Sequence, residues 1–99
     1  MAYDPGALEA ALSAAVGDSP CLIEELRGAF FASAKAHVGA LTYALSVEEW
    51  RMAAIRLHGL AASFGAVRLM DVATEAAQSN RSDAAVLRKI ERTLAALEV

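Results

Sequence analysis

Apolar residues recur along this chain at intervals of three and four, and polar start signals interrupt them at four places. That spacing puts apolar side chains on one face of an α-helix. Asp4 followed by Pro5 predicts a short helix over roughly 5–16 that ends near Gly17, because proline suits the first helical turn. Asp18-Ser19-Pro20 repeats the signal, and Leu22, Leu26, Phe30, Val38, Leu41 and Leu45 carry a long helix to about 45. Ser46 and Glu49 form a capping-box pattern, in which each side chain is expected to satisfy a free backbone N–H of the other residue. A third helix follows to about Phe64, with a break at Gly65 and a fourth helix over about 66–78. Gln78-Ser79-Asn80-Arg81-Ser82-Asp83 reads as a polar turn with a fresh cap. The last helix runs from about 83, with Val86, Ile90, Leu94 and Leu97 inward. Short connections favour antiparallel neighbours. The expected fold is all-α: an antiparallel up-and-down four-helix bundle with a short extra N-terminal helix.

The third helix departs from a simple core pattern. On a wheel of about 100° per residue, Trp50, Ala53, Leu57, Leu60, Ala61 and Phe64 share one side. The opposite side should be polar, yet it holds Met52, Ile55, Gly59, Ala62 and Ala66, flanked by Arg51, Arg56, His58 and Ser63. If the first face points into a core, the second needs another cover. Either a fifth element such as the N-terminal helix lies over it, or it is an exposed partner-binding stripe, since contiguous exposed apolar surface marks interaction sites. Gly59 favours the second reading. A mid-helix glycine costs about 0.5–1 kcal/mol relative to alanine, and close approach of another backbone is a reason to keep it.

Composition narrows the classes. The 99 residues fit one domain spanning 1–99, and 57% are hydrophobic, mostly the strong helix formers Ala and Leu. Net charge is −3 and the nine basic residues form no cluster, which argues against nucleic-acid binding. No apolar run of about 18 residues suggests a membrane span, and the N-terminal residues do not resemble a signal peptide. Cys21 is the single cysteine and can form no internal disulfide. A cytoplasmic, free-standing monomer is expected. No metal-ligand cluster or phosphate-binding loop is visible, and no cofactor is expected. The adjacent pairs Glu24-Glu25 and Glu48-Glu49 point in different directions on a helix and read as solvated faces. His37 has no carboxylate or cysteine at a site-like spacing and reads as a surface or boundary residue.

The segment Ala54-Ile55-Arg56-Leu57-His58-Gly59-Leu60-Ala61-Ala62-Ser63-Phe64-Gly65-Ala66 resembles the signature of the histidine-containing phosphotransfer (HPt) domains of bacterial phosphorelays. That signature reads roughly Ala-His-x-Leu-Lys-Gly-x-Ala-x-x-Leu-Gly-Ala. Ala54, Leu57, Gly59, Ala61, Gly65 and Ala66 match it without a gap. Gly17 to Pro20 with Leu22, Leu26 and Phe31, the approach Leu41, Ala44 and Trp50, and Arg68-Leu69 extend the likeness over most of the chain. Two positions differ. Ile55 stands where the family carries its phosphoaccepting histidine, and His58 where it carries a lysine.

The resemblance implies a degenerate, non-enzymatic HPt-like module. It would dock a response-regulator receiver domain or a histidine kinase through Arg51, Met52, Ile55, Arg56, His58, Gly59, Ala62, Gly65 and Ala66, without phosphotransfer. Two alternatives stand beside it: an active phosphotransfer protein using His58, and a self-associating helical bundle. His58 lies about 4.5 Å along and about 60° round the helix from Ile55. A displacement of even about 1 Å can cost roughly 100-fold in such chemistry, so a receiver would need a different docking register to reach it.

Overall fold

The computed structural model describes residues 5–17 and 19–98. Among the described residues there are five helices: α1 (Pro5–Val16), α2 (Pro20–Thr42), α3 (Val47–Ser63), α4 (Val67–Gln78) and α5 (Ala84–Glu98). No strand occurs among the described residues. The expected cap residues Asp4 and Asp18 lie outside the described residues.

Three helix starts and one helix end have a local cause. Ser19 caps α2, with its Oγ accepting from the Leu22 N–H. The Ser46 Oγ accepts from the Glu49 N–H at 3.0 Å and opens α3. The return half of the expected capping box differs: the Glu49 carboxylate accepts from the N–H of Leu45, not of Ser46. Asp83 accepts from the N–H groups of Ala85 and Val86 at the start of α5. Helix α3 ends in a Schellman motif. The Ala66 N–H reaches the Ala61 carbonyl and the Gly65 N–H reaches that of Ala62, with Gly65 at φ +65°. Only glycine adopts that left-handed backbone at little cost.

Helix α2 packs against α3 and α5, α4 packs against the same two, and α1 lies on α2. The core runs through all five elements, from Leu8 and Leu12 on α1 to Ile90 and Leu97 on α5. Phe30 sits edge-on to both Phe31 and Phe64. The Trp50 indole N–H donates to the Ala76 carbonyl at 2.7 Å and ties α3 to α4. Arg27 joins three helices: it pairs with Glu9 on α1, donates to the Leu97 carbonyl on α5 and lies over the Phe31 ring.

The hydrophobic pattern overran at α2. The helix stops at Thr42, so Leu45 falls in the following turn and is 83% exposed, and Leu22 in the first turn is also exposed. Leu26 and Val38 are half-buried at the edge of the core, while Phe30 and Leu41 are buried. On α5 the four expected inward residues are all buried.

Candidate functional site: the outer face of α3

Helix α3 has a buried side formed by Trp50, Ala53, Ala54, Leu57 and Ala61. Leu60 and Phe64 are half-buried at its margin. The opposite side is open. Ile55 is 53% exposed and Met52 49%, and Gly59 and Ala62 between and beyond them are exposed. Helix α1 does not supply the cover considered from the sequence, since it packs on α2.

Two of the expected site residues leave this stripe. Gly65 is exposed but belongs to the α3–α4 turn. Ala66 is fully buried and caps α4, so it is not part of any exposed face. The helical wheel cannot be carried past Ser63, because the left-handed Gly65 reverses the chain and turns Ala66 inward. The stripe is therefore Met52, Ile55, Gly59 and Ala62.

Charges frame it. Arg51 and Arg56 are exposed, and neither forms an ion pair among the described residues. Glu48, also exposed and without an ion pair among them, stands one turn before Met52. His58 is half-buried, on the side of the stripe nearer the core, with no side-chain hydrogen bond among the described residues. His37, on α2, is half-buried, and its ring stays neutral to lower pH than an ordinary histidine. Burial is the main cause and the nearby Arg56 guanidinium the second.

The stripe has no oxygen or nitrogen nucleophile that could accept a phosphoryl group: the Ile55 side chain is a hydrocarbon and that of Met52 ends in a thioether. No cluster of three or more metal-ligating side chains occurs among the described residues. An open groove of about 620 Å³ lies elsewhere, between α4 and α5. Arg68, Asp71, Glu75, Lys89 and Arg92 line it, and the Lys89–Glu75 ion pair at 2.8 Å bridges it. No described helix is long and apolar enough to cross a membrane. In comparisons with protein-family models, curated proteins and solved structures, none matches this chain.

Proposed function

We propose that this domain is a degenerate HPt-like module, which docks a receiver domain or a histidine kinase through the outer face of α3 and transfers no phosphoryl group. One observation carries the reading. Ile55 occupies the position of the family's phosphoacceptor in the resembling segment, and its side chain is half exposed beside Met52 rather than packed in the core. An apolar residue retained at the centre of an open helix face gives a partner an anchor, worth about 1.5–3 kcal/mol when fully buried. Arg51 and Arg56 stand at the rim, where charges act on association rate and salt dependence more than on affinity.

The four-helix ring of α2, α3, α4 and α5, with its short connections, supports an antiparallel up-and-down arrangement like that of the family. Loss of phosphotransfer follows from chemistry: an isoleucine cannot accept a phosphoryl group, and His58 is displaced from the acceptor position.

The test is binding of purified receiver domains and histidine kinases to wild type and to Ile55→Asp, with thermal unfolding of both on the same preparations. A charge at position 55 would be desolvated unpaired against the partner. Ile55→Asp is expected to abolish binding while the melting temperature stays near that of wild type. Binding unchanged in Ile55→Asp would refute the docking face, and a large fall in melting temperature would place the residue in the core. In a companion assay with phosphorylated receivers, wild type is expected to accept no phosphate. Acid-labile phosphate that vanishes in His58→Gln would replace this reading with active transfer. The double variant Ile55→His with His58→Lys is expected to regain some transfer, since Gly59 and Gly65 of the signature are in place.

A further inference from the structure

We propose that a second copy of this chain covers the outer face of α3, α3 against α3 in antiparallel register around Met52, where opposite charges pair. This stands on the face itself, independently of the docking proposal, and departs from the monomer expected from the sequence.

A two-fold axis through Met52 would place each residue a given number of positions before it opposite the residue the same number after it. Four positions before is Glu48 and four after is Arg56, both exposed. They lie about 40° to either side of Met52 on the helix. An antiparallel pair therefore sets Glu48 of each copy against Arg56 of the other, twice, with the two Met52 side chains meeting between them. Neither charge has an ion-pair partner within its own chain among the described residues.

Gly59 stands two turns after Met52, and Leu45 stands in the turn that precedes the helix, off its wheel. Leu45 is the most exposed large apolar side chain among the described residues, at 83%. A Cβ built on Gly59 would meet nothing within 4 Å, so nothing inside the chain requires a glycine there. The pairing brings the turn that carries Leu45 in one copy to the end of the interface where the other presents Gly59. Gly59 also lets the two backbones approach closely, and antiparallel helices oppose their dipoles favourably. Such an interface is isologous and closes at two copies. The area is that of one helix crossing, so the dimer is weak, and it would hide the stripe from any other partner.

Sedimentation of the whole chain from about 10 μM to about 1 mM tests this. Those concentrations bracket the weak end of the affinity scale. The weight-average mass is expected to climb from one chain towards two. Glu48→Arg and Arg56→Glu, each of which creates two like-charge contacts, are expected to weaken association by roughly 10-fold or more. The combined swap is expected to restore it. Gly59→Leu is expected to abolish association while circular dichroism shows an unchanged helical fold. A mass of one chain at every concentration would overturn the proposal. So would a combined swap that stays folded but does not regain association.

Discussion

Helices α3 and α5 have similar lengths and opposite designs. On α5, Val86, Ile90, Leu94 and Leu97 are all buried, while Arg88, Lys89, Glu91 and Arg92 are exposed. Its large apolar residues are accounted for by the core, with Leu87 half-buried at the edge. On α3, the inner side is just as closed, but Met52 and Ile55 remain about half exposed on the outer side. The fold leaves both of them half open to solvent. The comparison separates two reasons a helix carries large apolar residues: to be held by the rest of the molecule, or to hold something else.

The sharpest way to break the comparison is to truncate one isoleucine on each helix. Ile90→Ala removes a fully buried side chain and is expected to cost about 2–5 kcal/mol through lost transfer energy and a cavity. Ile55→Ala is expected to shift stability by no more than about 0.5 kcal/mol. Urea unfolding of both variants checks the pair, and equal losses would erase the distinction between the two helices.

The next effect concerns how α3 is held at its start. Ser46→Ala removes the oxygen that accepts from the Glu49 N–H and is expected to cost about 1 kcal/mol. The same measurement reads it. A loss below about 0.3 kcal/mol would mean that the Glu49 carboxylate on the Leu45 N–H suffices to anchor the turn.

The smallest effect links α3 to α2 through His37. Its pKa is lowered from 6.5 in the folded chain, first by burial and then by Arg56. The unfolded chain therefore binds a proton at higher pH than the folded one. The contribution to stability is fully present above the ordinary histidine range and is lost as pH falls through the folded value. In paired unfolding experiments at about pH 7.5 and pH 5, wild type is expected to lose more stability on acidification than His37→Gln. Arg56→Ala is expected to reduce that loss by a smaller amount. Equal acid sensitivity in wild type and His37→Gln would show that His37 titrates alike in both states.

Much of the fold is legible in residue order because its causes are local. The starts at Pro20, Val47 and Ala84 follow from Ser19, Ser46 and Asp83 acting on N–H groups two or three residues away. The buried face of α5 follows from large aliphatic residues at helical spacing. The alanines are harder to read. Ala34, Ala54, Ala73 and Ala76 are all fully buried, yet Ala36, Ala40 and Ala85 are exposed. A methyl group is small enough for either side, so periodicity assigns it to neither.

For the candidate site, residue order determined the azimuths of α3: Met52, Ile55 and Gly59 share a face whatever surrounds the helix. Only the tertiary structure decided which of the two apolar faces was closed. That choice depends on where α2 and α4 lie, and on α1 packing against α2 instead of over Ile55. The tertiary structure also removed Ala66 from the face and put Leu45 beyond the end of α2. Both follow from helices that end where backbone hydrogen bonds end. Hydrophobic spacing along the chain carries no record of that point, because a stripe on a wheel runs on past the turn that reverses it.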